Sequence, residues 1–252
     1  MPSSPVRPAV LAGLFIVTAA FIPTKAKAQD SYKDDRNAEV DARGATSARI
    51  EAGAGSLRIE GRQGISSVKV RGTARSSRRG DLDDIKLIAE RRGSEVFIKV
   101  DIPDGSREGW RIFNGNLQAM ALDLVIEVPV TLALDVDDGS GDVEILNTGS
   151  VELEDGSGNL EIRGTTGNVR VNDGSGGIIL DGIDGNVRVS DGSGEIRGRN
   201  ITGDFIVDED GSGSIDVDRV AGDFVVDNDG SGSIRYDTVK GKVDIPRSKR
   251  RG

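Results

Sequence analysis

The tetrapeptide Asp-Gly-Ser-Gly occurs six times in this chain, beginning at Asp138, Asp155, Asp173, Asp191, Asp210 and Asp229, in steps of 17, 18, 18, 19 and 19 residues. A near-constant period of this length is the mark of a repeat architecture. Each repeat also holds two short alternating apolar runs: Leu160 and Ile162 then Val169 and Val171; Ile215 and Val217 then Phe224 and Val226; Ile234 and Tyr236 then Val243 and Ile245. Period-two alternation puts these side chains on one face of a strand and Glu161, Arg170, Asp216 and Arg235 on the other. A second glycine series, Gly149, Gly167, Gly185, Gly203, Gly222 and Gly241, falls midway round each repeat, often two residues after an apolar corner such as Ile183 or Val220.

Each repeat therefore has two strands and two glycine turns. Strands this short cannot bury an apolar face alone, but successive repeats stacked at about 4.8 Å close a continuous narrow core. The expected fold is all-β: a single-stranded parallel β-solenoid of short two-strand coils over residues 135–246, with additional N-terminal β-strands. A meander of hairpins also uses Asp-Gly turns. It does not require the same four-residue turn at one register six times, whereas a solenoid stacks like on like.

Composition agrees with a narrow core. Glycine, at 35 of 252 residues, is about twice its usual share without matching proline. Aromatic residues make up only 4%, and few rings are expected where Val, Ile and Leu fill a thin interior. Cysteine and histidine are both absent. That excludes a disulfide framework, a lipid-modified cysteine, Ser-His-Asp and Cys-His nucleophiles, and histidine metal ligands. No catalytic, cofactor-binding or metal-ligating residue is expected.

The chain opens with Arg7, an apolar stretch from Ala9 to Ile22 and the small-x-small sequence Ala26-Lys27-Ala28. This reads as a secretory signal peptide over residues 1–28, with the mature chain starting at Gln29. The fourteen residues of this stretch span about 21 Å of helix, short of a hydrocarbon core of roughly 30 Å. The mature chain is thus expected to be exported, to periplasm, cell envelope or extracellular space, with no transmembrane helix.

Residues 29–48 are polar and read as a flexible leader. Residues 49–134 read as an N-terminal β region: Gly55-Ser56-Leu57-Arg58-Ile59-Glu60-Gly61 and Gly64-Ile65-Ser66-Ser67-Val68-Lys69-Val70 look like an isolated first coil. Ile85, Leu87 and Ala89, then Val96, Ile98, Val100 and Ile102, predict two inserted strands. The unbroken alternation from Leu122 to Val136 predicts one long strand, or two joined at Pro129. Pro103 to Gln118, with Trp110, reads as a surface loop. Open solenoid ends need covering; the strands of 73–134 are expected to cap one end, and Pro246 with the tail at 247–252 to stop addition at the other.

Charge is distributed unevenly. Residues 29–134 carry 17 acidic and 17 basic side chains, residues 135–245 carry 25 and 9, and the tail adds Arg247, Lys249, Arg250 and Arg251. Nucleic acid is not an expected partner of so acidic a solenoid. The basic tail can make electrostatic contact with envelope phosphates or with the acidic flank of a neighbouring molecule.

Ser140, Ser157, Ser175, Ser193, Ser212 and Ser231 lie between glycines and read as turn residues, because a nucleophile is needed once and would need a base. The aspartates raise a sharper question. Stacking sets like carboxylates about 5 Å apart, a repulsion of roughly 1 kcal/mol in water and about 3 kcal/mol at an effective dielectric near 20. Backbone N–H groups of the following Ser and Gly can offset it, or a cation along the ladder can, helped by Glu154, Asp208, Glu209 and Asp227. The aspartate precedes the glycines here, unlike the calcium-binding β-roll repeat, and no EF-hand loop is present.

The phrases Gly-Ser-Leu-Arg-Ile-Glu-Gly and Ser-Val-Lys-Val-Arg-Gly and the serial Asp-Gly-Ser-Gly-x-Ile/Val-x-Ile/Val resemble the bacterial "putative adhesin" family of β-strand-repeat proteins, a domain of unknown function. The likeness covers about Ala48 to Pro246. It implies a β-helical exported protein, and offers no catalytic residues to carry over. Three functional readings follow, in this order: a non-enzymatic envelope or surface module with an unidentified partner; a carbohydrate-active β-helix using paired carboxylates such as Asp208 and Asp210; and a calcium-binding solenoid.

Overall fold

A computed structural model of the chain describes residues 31–102 and 120–246. The signal peptide, the loop from Pro103 to Gln118 and the basic tail expected from the sequence lie outside these residues.

The strands form two ladders that face each other across one core. From the N-terminus come β1 (Tyr32–Asp41), β2 (Ser47–Glu51), β3 (Leu57–Arg62), β4 (Ser67–Ser76), β5 (Lys86–Arg92), β6 (Glu95–Asp101), β7 (Met120–Pro129), β8 (Ala133–Asp138) and β9 (Val143–Leu146). From β8 onward each coil adds one strand to each ladder, all parallel and in register. On the first ladder Leu134, Val151, Val169, Val187, Phe205, Phe224 and Val243 stack as successive partners. On the second, Val143, Leu160, Ile178, Ile196, Ile215 and Ile234 do the same. The fold is a parallel β-solenoid, not a hairpin meander.

The burial pattern of Val151–Asp155 and of Val169–Asp173 alternates strictly between buried and exposed. Inward Val, Leu and Ile side chains form one core that runs the whole length. Each contributes about 1.5–3 kcal/mol on burial. Near the C-terminal end the core takes rings, Phe205 against Phe224 at 6.1 Å, and the exposed Tyr236 lies over Phe224 at 5.9 Å. Room for the first ring comes from Gly198, where a Cβ would lie 2.3 Å from the Phe205 ring.

The structure corrects two expectations at the N-terminal end. The segment read as a leader contains β1, paired antiparallel with β4 from Tyr32↔Ser76 to Asp41↔Ser67. The inward apolar signal of β1 is confined to Ala38 and Val40, and a polar edge strand can still form on backbone bonds to its neighbour. The first coil is not isolated either. Strands β2 and β3 sit between two coils, β2 parallel to both β6 and β8, and β3 parallel to both β7 and β9. The run from Leu122 to Val136 takes the second of its two expected forms: two strands, β7 and β8, separated by a corner after Pro129.

Beyond these coils the pairing turns antiparallel: β4 covers β7, and β5 covers β6. A short 3-10 helix, Arg79–Asp84, buries Leu82 beside them. Arg36 ties this cap together, its Nε donating to Ile85 O at 3.0 Å and its NH2 to Leu82 O at 2.7 Å. One end is closed by β1, β4 and β5, so residues 73–134, expected to cap it, supply only β5, the 3-10 helix and the last residues of β4.

Candidate functional site

The inward alternation explains where the repeated aspartates go. In Val151, Leu153, Asp155 the aspartate takes the third inward position, and the same holds for Val169, Val171, Asp173. Register pairs Asp138 with Asp155, Asp155 with Asp173, Asp173 with Asp191, Asp191 with Asp210, and Asp210 with Asp229. The result is a column of carboxyls along one corner of the core. Asp138, Asp155, Asp173, Asp191 and Asp210 are 3%, 6%, 3%, 2% and 1% exposed, values typical of the apolar core rather than of surface acids.

The two glycines of each turn are what let this column form. A Cβ on Gly176 would lie 1.5 Å from Gly158 O of the preceding coil, and the residue has φ +141°. Turn therefore stacks on turn with no side chain between them. At the opposite corner the left-handed residues are Asn147, Gly164, Gly182, Asn200, Arg219 and Thr238, one per coil. The midway glycine series serves close approach there: a Cβ on Gly185 would lie 2.4 Å from Gly167 O.

Two aspartates accept the bond expected of such turns. The Ser175 N–H donates to Asp173 Oδ1 and the Ser193 N–H to Asp191 Oδ1, each at 3.1 Å. Their Oδ2 atoms are buried without a donor, and so are both carboxyl oxygens of Asp138 and of Asp155. At Asp155 the Ser157 and Gly156 amides still favour the charged form, although they fall outside hydrogen-bonding geometry.

Burial, reinforced by the neighbouring Asp155, pushes the Asp138 carboxyl up to about 7. Burial first and then a neighbouring aspartate raise Asp173 and Asp191 to about 6, against the opposing pull of the turn amides. Asp155 is raised by burial as well. The column ends at β2, because Glu51 pairs with Asp137 and the next residue, Ala52, comes beside Asp138. That coil carries Ala52-Gly53-Ala54-Gly55, with Ala54 bridged to Ser140: the same turn without carboxyl or hydroxyl.

Outside the corner a groove of about 340 Å³ is lined by Asp137, Asp138, Glu154, Asp155, Asn172 and Asp173, together with turn glycines. Among the described residues no three acidic side chains are arranged to hold one metal ion. The turn serines serve the backbone: the Gly141, Gly158 and Gly176 N–H groups donate to Ser157, Ser175 and Ser193 carbonyls at 2.9–3.0 Å.

Asp208 and Asp210, paired in the sequence reading, point to opposite sides of the strand. Register shifts after Val189, so that Ser190 pairs with Glu209 and Asp191 with Asp210, leaving Asp208 as an extra residue. Asp208 lies outside, ion-paired with Arg188, while Asp210 is in the core. They do not form an acid–base pair across a cleft. The step from 18 to 19 residues in the repeat is the sequence trace of this bulge.

The outer face of the first ladder carries a shallow groove of about 510 Å³ across successive coils, with Asp135, Glu152, Arg170, Arg188 and Ile206 along it. One rim is a column of Asn168, Asn186, Asp204 and Asp223, whose Oδ1 atoms accept backbone N–H groups of the next coil at 2.7–2.9 Å. These side chains brace the stack. Of the charged residues along the groove, Glu152 and Arg170 face outward, while Asp135 is ion-paired with Arg49 and Arg188 with Asp208. No single-sequence rule marked this face, because its residues differ from coil to coil.

No helix among the described residues is long and apolar enough to cross a membrane. No protein-family model and no curated protein matches the chain. Solved structures similar to it include a "putative cell adhesion protein" from Clostridium sporogenes, with 14% identity and a TM-score of 0.40, covering 84% of this chain and 100% of that one. A "putative lipid binding protein" from Parabacteroides distasonis has 13% identity and a TM-score of 0.41, covering 84% and 96%. A "putative adhesin" from Bacteroides fragilis has 14% identity and a TM-score of 0.36, also covering 84% and 96%. Likeness at this level leaves the site to be read from this chain's own residues.

Proposed function

We propose that this chain is a non-enzymatic, exported module of the cell envelope or surface, adhesin-like in use, that binds its partner along the outer face of the coils. The observation that carries this reading is the groove along the first ladder. In-register stacking holds Asp135, Glu152, Arg170 and Arg188 in one line at coil spacing, on a backbone braced from coil to coil. Side chains held in this way present a fixed charge pattern, so little ordering entropy is lost on binding. The segment at residues 1–28, read as a signal peptide, supplies the route out of the cytoplasm.

The test is capture from envelope extract by the chain starting at Gln29, compared with a double Arg170→Glu, Arg188→Glu variant of the same fold. Capture of a component that the variant loses supports the reading. Equal capture by both, or none by either, overturns it.

A further inference from the structure

The aspartate corner has more acid than its hydrogen bonds can keep charged. Asp138 and Asp155 are register partners on adjacent coils, buried, and none of their four carboxyl oxygens meets a donor. Asp173 and Asp191 are also register partners, each with one oxygen bonded to a turn amide and the other buried without a donor. A buried acceptor without a donor is costly, and a buried charge more so. Two such oxygens facing each other along a stack meet favourably only when a proton lies between them.

The surroundings supply no counter-charge. On the same strands the outward neighbours are Asp137, Glu154, Asn172, Ser190 and Glu209. Just past the turn come Asp142, Asn159, Gly177 and Glu195, and the next inward residues on the facing strands are Val143, Leu160, Ile178 and Ile196. The coil below offers Ala52 and Glu51, and the coils above offer Asp210 and Asp229. The charges that act on three of the carboxyls are carboxylates: Asp155 and Asp137 on Asp138, Asp155 on Asp173, and Asp173 with Asp210 on Asp191, while the interaction between Asp138 and Asp155 raises the first and favours the charged form of the second, as one proton between the two would.

We infer that this corner is a proton-holding column: along Asp138, Asp155, Asp173 and Asp191 neighbouring carboxyls share protons near neutral pH, and stripping those protons loosens the coils. The solenoid is thereby tightest in mildly acid surroundings. The upward shifts to about 7 at Asp138 and about 6 at Asp173 and Asp191 agree with this geometry. Their sign fixes the direction. A carboxyl raised in the folded state holds its proton when the unfolded chain, near pH 4, has released it, so stability is full below about pH 4 and falls as pH rises to about 7. Salt-bridged surface acids work oppositely but at lower pH, as with Asp41, held at about 2 by Arg43.

The experiment is thermal unfolding of the chain from Gln29 at pH 5 and pH 8, each with calcium chloride and with chelator, alongside an Asp155→Asn, Asp173→Asn variant. The wild-type midpoint is expected to be higher at pH 5 by about 5–10 °C, unmoved by calcium, with a smaller gap in the variant. Carboxyl signals of the wild-type aspartates, followed by isotope-edited NMR, are expected to titrate above pH 5, a readout that stands even where the variant does not fold. A midpoint equal or higher at pH 8, or titration of every aspartate below pH 5, overturns the inference. A pH 8 midpoint restored by calcium overturns it in favour of a cation ladder.

Discussion

The two ends of this solenoid are built by different rules. From Ala133 onward each strand pairs with one 17 to 19 residues away, and the pairing partner is the same position of the adjacent repeat. At the other end pairing joins residues 86 apart, as Arg49 beside Asp135, and then turns antiparallel through β4 and β5. The repeat end gains regularity, and with it a requirement that every coil fit the one below. In the capped end that requirement persists at the β2–β3 coil, where a Cβ on Gly55 would lie 2.5 Å from Leu122 O and one on Gly61 1.8 Å from Asn147 O, but the turns at Gly44, Gly64 and Gly93 have open space around them. Gly64 has φ +73° with open space around it, so it serves only conformation, whereas Gly176 serves both conformation and close approach.

This difference gives the largest expected effect. Gly176→Ala drives a methyl into Gly158 O and is expected to cost about 4 kcal/mol or more, or to prevent folding. Gly64→Asn is expected to cost about 1 kcal/mol or less, since Asn tolerates the left-handed region. Denaturant titration of the two variants measures the contrast, and similar losses would erase it.

The core sharpens the comparison at a smaller scale. Phe205→Ala is expected to cost about 3–5 kcal/mol. Because Gly198 leaves space for that ring, adding Gly198→Val to the Phe205→Ala chain is expected to recover part of the loss, while Gly198→Val alone costs about 1–3 kcal/mol. Additive losses in the double variant would mean the two sites do not share volume.

The cap supplies the smallest effect. Arg36→Ala removes donors from Leu82 O and Ile85 O and is expected to cost about 1–2 kcal/mol. Hydrogen exchange is expected to rise in β1 and around Leu82 while the coils beyond Val151 stay protected. Uniform loss of protection would mean that cap and coils unfold as one unit.

The repeat end was legible in the sequence because stacking forces identity. Gly over Gly and Asp over Asp leave a periodic trace that one chain displays unaided. The inserted strands β5 and β6 also showed their alternation. The capped end was less legible for a matching reason. β1 carries its inward apolar signal on Ala38 and Val40 alone, and nothing local to β2 and β3 announces that they lie between β6 and β8 and between β7 and β9. At the candidate site the aspartate column is visible in the sequence but its side is not, because an aspartate in the fifth place of an alternating run carries a surface residue's polarity at an inward position. The bulge at Asp208 was present only as a single added residue in the repeat length.

The parallel, in-register stack underlies both the outer groove and the carboxyl column. Glu152 and Arg170 are register partners on adjacent coils and point outward, and the chain has no cysteine of its own. Neighbouring parallel strands lie about 4.8 Å apart, within disulfide reach. A Glu152→Cys, Arg170→Cys variant is therefore expected to close an intramolecular disulfide under mild oxidation, while a Glu152→Cys, Ser190→Cys variant, two coils apart, is expected to stay reduced. Closure in the second variant and not in the first would contradict the stack.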